Sequence, residues 1–138
     1  MLVKLADMEL RYRGKSEAAP PSKLGEYLGG GDGELTGSGG TNTVTWNLFE
    51  NQRPEFCDAY FVGTIDNGTG EEHEFEILGF FRPQAGSSLW ALSAAMRIDG
   101  ACDGLDLPAG GVVTGTFDME SYVHRYEVFR HEPGDAGR

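Results

Sequence analysis

Two stretches of alternating polarity carry the side chains best suited to moving protons. From Glu71 to Phe81, Glu72, Glu74 and Glu76 share one face of an extended chain, and His73, Phe75, Ile77 and Gly79 share the other. From Cys57 to Asp66, an apolar face of Cys57, Ala59, Phe61 and Ile65 opposes Asp58, Tyr60, Val62 and Thr64. If the loop joining the two is odd in length, such as Asn67 to Glu71, the apolar faces match and Tyr60 joins Glu74 and Glu76. Carboxylates crowded into a partly dry cavity raise the pKa of at least one of them, so that a Glu exchanges a proton near neutrality. Tyr60 would then orient or protonate a carbonyl oxygen, an arrangement suited to an isomerase, cyclase or dehydratase. The same pattern also fits an apolar face on a core with a solvated acidic face outside. Near the carboxyl end, Tyr122, His124 and Tyr126 alternate onto one face, and His124 is the side chain there that titrates near pH 7 without help.

Other chemistries lack their motifs. Gly31-Asp32-Gly33 is followed by Glu34-Leu35-Thr36-Gly37, no Gly-Lys-Ser/Thr occurs, and Asp32 and Glu34 would repel a phosphate. Asp66-Asn67-Gly68-Thr69-Gly70-Glu71 lacks EF-hand spacing and reads as a hairpin turn. His73, His124 and His131 show no i, i+2 or i, i+4 pairing for a metal, and no Gly-x-Ser-x-Gly is present. Cys57 and Cys102 sit in no Cys-x-x-Cys and read as small buried hydrophobes. The expectation is therefore chemistry without a cofactor or a metal.

The elements that must position these groups are strands. Met8 to Arg13 alternates, and a second extended segment from about Leu24 to Thr36 contains Gly29-Gly30-Gly31-Asp32-Gly33, read as a tight turn, a bulge or a bend. Further strands are predicted at Thr41 to Phe49, Cys57 to Asp66, Glu71 to Phe81, Leu89 to Ile98, Val112 to Asp118 and Tyr122 to His131. Short turn-rich links imply antiparallel neighbours, and about eight strands either form a sandwich or close into a barrel, which removes exposed edges. Gly37, Gly63, Gly79 and Gly115 fall in or at the ends of these strands, where a coiled sheet must bend.

Composition narrows the setting. The 138 residues carry 11 Lys+Arg against 22 Asp+Glu, a formal charge of −11, which argues against nucleic acid and anionic membranes as partners. No run of about 18 apolar residues and no signal-peptide core is present, so a cytoplasmic setting is expected. Glycine is 21 of 138, about twice its usual share of ~7%, while 39% hydrophobic residues leave enough to fill a core.

The succession Gly25 to Trp46, then Cys57 to Phe80, then Val112 to Phe129 with its ending His124-Arg125-Tyr126-Glu127-Val128-Phe129, resembles the bacterial domain of unknown function 3237 family. That resemblance implies a barrel similar to the calycin and allene-oxide-cyclase-like barrels, with eight antiparallel strands and a central cavity. The expected architecture is all-β with little helix, one barrel domain over residues 1–131 and a disordered tail over 132–138. The expected function is a cofactor-independent isomerase or cyclase on an apolar, polyketide-, terpenoid- or lipid-like small molecule held in the lumen. The alternatives are a non-catalytic small-molecule binder and an assembly protein whose barrel is filled by its own side chains. Tyr60, Glu74, Glu76, His124 and Tyr126 are the catalytic candidates, Tyr12, Trp46, Trp90 and Asp58 the substrate-binding ones, and a homo-oligomer is compatible with the sequence.

Overall fold

Alternation with period two dictates the architecture, and the computed structural model describes it over residues 1–17, 24–66, 68, 70–99 and 110–132. The strands are β1 (Leu2–Gly14), β2 (Glu26–Gly37), β3 (Gly40–Gln52), β4 (Cys57–Asp66), β5 (Glu72–Pro83), β6 (Leu89–Ile98), β7 (Gly111–Asp118) and β8 (Val123–His131). Each pairs antiparallel with the next, and β1 pairs with β8 from Leu2↔His131 to Arg11↔Val123, closing the barrel. No helix occurs among the described residues. The loops after β1, β3, β5 and β7 lie at one end, here called upper. Those after β2, β4 and β6, with Met1 and Glu132, lie at the lower end.

One parity runs round the wall. Met8, Leu10, Leu35, Val44, Trp46, Phe61, Ile65, Ile77, Phe81, Leu92, Met96 and Val113 all point inward and are at most 2% exposed. Trp46 lies 5.9 Å from Phe61, and Phe61 6.1 Å from Phe81, so the three large rings occupy the middle of the lumen. The interior expected to hold a substrate is taken up by these side chains.

The glycine run is strand, not turn. Gly29 to Gly33 belong to β2, and the register shifts on both sides of them, at Tyr12/Gly14 in β1 and at Tyr27/Gly29 in β2. A Cβ on Gly31 would collide with the Arg11 carbonyl oxygen and one on Gly30 with that of Trp46, so neighbouring backbones close in where side chains are missing. This lets three adjoining strands coil tightly enough for eight to close.

Several boundaries differ from expectation, three of them for reasons the pairing makes plain. β1 starts at Leu2 rather than Met8 because its ladder with β8 extends to the amino terminus. β3 runs on to Gln52, three residues past the apolar run, because Glu50, Asn51 and Gln52 still pair with Ala59, Asp58 and Cys57. Tyr122 falls outside β8 in a turn with φ of 58°. Of the expected tail, Glu132 donates its amide to the Met1 carbonyl at 2.8 Å and so belongs to the barrel. Residues 133–138 and Cys102 lie outside the described residues.

Candidate functional site

The β4–β5 hairpin pairs Asp66 with Glu72, leaving the five-residue loop 67–71, and this odd length puts Tyr60, Glu74 and Glu76 on one face. That face is the outside of the barrel. Tyr60 Oη donates to Glu76 Oε2 at 3.2 Å, and Arg97, paired with Glu76 across β5 and β6, closes an ion pair on the other oxygen. Partial burial, then the adjacent Glu76 charge, raises the Tyr60 pKa, so the phenol remains protonated as a donor. Around this triad lies a groove of about 810 Å³ with Thr45, Asn47, Thr64, Glu74 and Asp99 among its walls.

His124 and Tyr126 point the other way, into the upper lumen. His124 is 1% exposed and stacks on Phe117 with ring centres 4.3 Å apart, with Trp46 edge-on at 5.0 Å and Phe61 at 5.6 Å. Its Nδ1 shares a hydrogen bond with the Tyr126 hydroxyl. Burial among rings pushes the imidazole pKa down to about 3, so His124 is neutral at pH 7. Burial likewise drives the Tyr126 phenol upward.

The alternation of β3 brings one further group to this end. Asn42, Val44, Trp46, Leu48 and Glu50 share the inward parity, so the Glu50 side chain follows Leu48 into the lumen. Desolvation raises its carboxyl to about 7, partly offset by a hydrogen bond with the Cys57 thiol. Cys57 is in turn pushed up to about 12 by burial and then by the Glu50 charge, and that charge also reaches Tyr126. Glu50 escaped sequence reasoning because the apolar run stops at Phe49. Extending the even-numbered face by one more position would have found it.

The five catalytic candidates thus form two groups on opposite sides of the barrel wall, Tyr60, Glu74 and Glu76 outside and His124 and Tyr126 inside. No single site unites them. Trp46 is a core side chain whose Nε1 donates to the Asp32 carbonyl at 2.9 Å, so it walls no open cavity. Trp90 is half-buried at the upper end against the core. Tyr12 is 38% exposed at the upper rim, its ring 5.9 Å from Tyr122 and its hydroxyl donating to the Leu28 carbonyl. Asp58 lies outside the groove, tied to Arg53 at 2.6 Å.

The turn after β4 is held by Asp66 Oδ1 accepting from the Gly68 amide at 2.8 Å, with Gly68 at φ of 86°. Among the described residues no three His, Cys, Asp or Glu side chains converge to hold a metal ion. No helix of the described residues is long and apolar enough to cross a membrane. No family model matches the chain, and neither the curated proteins nor the solved structures contain a match to it.

Proposed function

We propose that this barrel is a binding protein for a small polar cation, an amine or guanidine bearing hydroxyl or amide groups, seated in the outer groove over β3–β6. The observation that carries this reading is the convergence of Tyr60, Glu74 and Glu76 in that groove while the lumen is occupied by the core. Its volume of about 810 Å³ falls within the usual range of ligand sites, roughly 300–1,000 Å³. Glu74, Glu76 and Asp99 outnumber Arg97 there, which favours a cation, and Thr45, Asn47, Thr64 and Tyr60 offer neutral hydrogen-bonding partners. The Tyr60 ring adds a face for cation–π contact. Calorimetric titration with small amines and guanidines, using their carboxylate analogues as controls, tests the reading. Cations should bind in a salt-sensitive way, and Glu74→Gln with Glu76→Gln should abolish it. Equal binding of the carboxylates would overturn it.

A second reading keeps the cofactor-independent isomerase or cyclase, and Glu50 favours it. A carboxyl titrating near 7 at the same end of the lumen as the His124–Tyr126 pair is suited to taking a proton from a carbon acid and returning it. A substrate would have to enter by parting Tyr12, Phe117 and Tyr122. Exchange of α-deuterons on small ketones, followed by NMR, should be catalysed by the native chain and lost in Glu50→Gln; exchange unaffected by that change would count against this reading.

A further inference from the structure

The outside of the barrel is uneven. Over β8, β1 and β2 it is a ladder of ion pairs, with Lys4 to Asp7 and Glu127, Arg11 to Glu34 and Asp32, Arg13 to Asp32, and Arg125 to Glu9. Over the middle of β5, β6 and β7, between Glu76 and Arg97 on the lower side and Arg82 and Asp118 on the upper, the outward residues are Leu78, Phe80, Ala91, Ser93, Ala95, Val112, Thr114 and Thr116, none of them charged. Leu78 is 52% and Phe80 54% exposed, and Phe56 packs edge-on against Phe80 at 5.5 Å. In a chain of net charge −11, two exposed large hydrophobes at the centre of a neutral patch three strands wide single this face out from the rest of the barrel.

We infer that two copies of this chain pair through the outer face of β5–β7, about a two-fold axis running across the strands along the row Gly79, Ala94 and Val113. Those three residues face each other in the ladder, so the axis passes midway between Leu78 and Phe80, and midway between Ser93 and Ala95. The operation then sets Leu78 against the second copy's Phe80, Ala95 against its Ser93, and Val112 against its Thr114. Along β5 it also sets Glu76 against the second copy's Arg82, three residues on either side of the axis. Arg82 is exposed and makes no ion pair with any described residue, in contrast to Arg11, Arg13, Arg53, Arg97 and Arg125. Opposite charges at equal distances from the axis, with Glu76 shared between its own Arg97 and the second copy's Arg82, make the rim complementary to itself, which a two-fold interface requires. A second copy is therefore the occupant that the charge pattern selects.

Size sets the strength. Three strands at ~4.8 Å spacing and five residues at ~3.3 Å rise project to roughly 200–300 Å². Stable interfaces bury about 800 Å² per partner, so the pair is weak and concentration-dependent unless the rim contributes heavily.

Sedimentation equilibrium of the full chain across the micromolar range tests the inference. A monomer–dimer equilibrium is expected, with Phe80→Glu monomeric at every concentration and its far-UV circular dichroism unchanged. Arg82→Glu should weaken association at least tenfold, and Glu76→Arg combined with Arg82→Glu should restore it in an Arg97→Gln background, where no native arginine opposes the new one across β5 and β6 and both symmetric contacts are rebuilt with reversed sign. A chain that stays monomeric to hundreds of micromolar, a trimer, or dimerisation indifferent to Phe80→Glu would overturn the inference. Failure of the double exchange to improve on Arg82→Glu would overturn the axis. Amine binding by the Phe80→Glu monomer would separate this inference from the proposed function.

Discussion

The buried His124 and the half-buried Glu50 titrate in opposite senses, and together they flatten the acid response of the barrel. His124 has an ordinary pKa of 6.5, pushed down to about 3 by burial. The folded state therefore excludes its proton: the stability tied to the neutral ring is complete above pH 6.5 and lost as pH falls towards 3. At about 1.36 kcal/mol per unit, the full loss is roughly 5 kcal/mol, as large as the whole stability of a marginal domain. Glu50 is raised from 4.5 to about 7, so its contribution is complete below pH 4.5 and lost as pH rises through 7. Its span is roughly 3 kcal/mol before solvent screening of this half-buried group, and about 2 kcal/mol after it. Between pH 6.5 and 4.5 the two slopes oppose each other. Stability of the native chain should change by less than about 1 kcal/mol over that window and fall steeply only below it.

Urea denaturation followed by tryptophan fluorescence at half-unit steps from pH 8 to 3 measures this directly. Glu50→Gln removes one limb, so its stability should fall by about 1.4 kcal/mol for each unit of acidification from 6.5 to 4.5. His124→Phe with Tyr126→Phe removes the other without leaving a buried hydroxyl unpaired, and its stability should rise over the same window. Asp32 and Glu34, whose carboxyls are held low first by hydrogen bonds from Arg13 and Arg11, lose their contributions only at pH values below the ordinary carboxylate range. They therefore do not contaminate the test. A flat Glu50→Gln profile, or a His124 ring that NMR shows titrating near pH 6, would refute the assignment of His124 to the dry lumen, and a flat profile of the double phenylalanine variant would refute that of Glu50.

Three further outcomes follow from the packing. Phe61→Ala, which removes the ring between Trp46 and Phe81, should cost about 3–5 kcal/mol in the same assay, and a loss under 1 kcal/mol would mean the lumen is loosely filled. Gly63→Ala should cost about 3 kcal/mol, the upper end of overpacking, because the obstacle is the Thr45 carbonyl oxygen rather than a movable side chain; an unchanged urea midpoint would contradict the close approach of β3 and β4. In a Cys102→Ser background, Cys57 should resist iodoacetamide at pH 8 while folded and react fully in urea, since burial holds its thiol at about 12. Rapid labelling of the folded chain would place the thiol in solvent.

Parity was readable from the sequence; the direction in which each parity faces was not. The alternation of Cys57, Ala59, Phe61 and Ile65 against Tyr60, Val62 and Thr64 determined the shared face, and the loop 67–71 delivered the expected register. Whether that polar face looked into a cavity or into water depends on the volume of residues from all eight strands. Trp46, Phe61 and Phe81 come from the successive strands β3, β4 and β5, and only their meeting with His124 from β8, far off in sequence, shows the lumen to be full. Glu50 was lost for a different reason: one carboxylate after an apolar run looks like the end of a strand, and only the hairpin pairing with Ala59 shows that the strand continues. The two-sided bulge at Gly29 to Gly33 was likewise ambiguous until β1 and β3 fixed it from either side.

The surplus of negative charge is spent unequally, and this bears on the groove. On β1 and β2 the carboxylates of Glu9, Asp32 and Glu34 each meet an arginine at 3.6 Å or less, so that face projects little field. At the lower end of β4–β6, Asp66, Glu72, Glu74 and Asp99 have no ion pair with a described residue, Glu71 stands 3.9 Å from His73, and Arg97 engages Glu76 alone. Uncompensated carboxylates around a concave wall raise the local concentration of cations well above bulk. Neutralising Arg82, across the neutral patch, should leave that field almost intact, whereas Glu74→Gln removes part of it at the wall itself. Amine affinity at low salt should therefore drop several-fold in Glu74→Gln and hardly change in Arg82→Gln. The difference should shrink as ionic strength rises and the screening length falls to about 8 Å at 0.15 M. If Arg82→Gln, which takes the chain from −11 to −12, raises affinity about as much as Glu74→Gln, at −10, lowers it, the attraction belongs to the whole chain's charge and the groove has no claim to it.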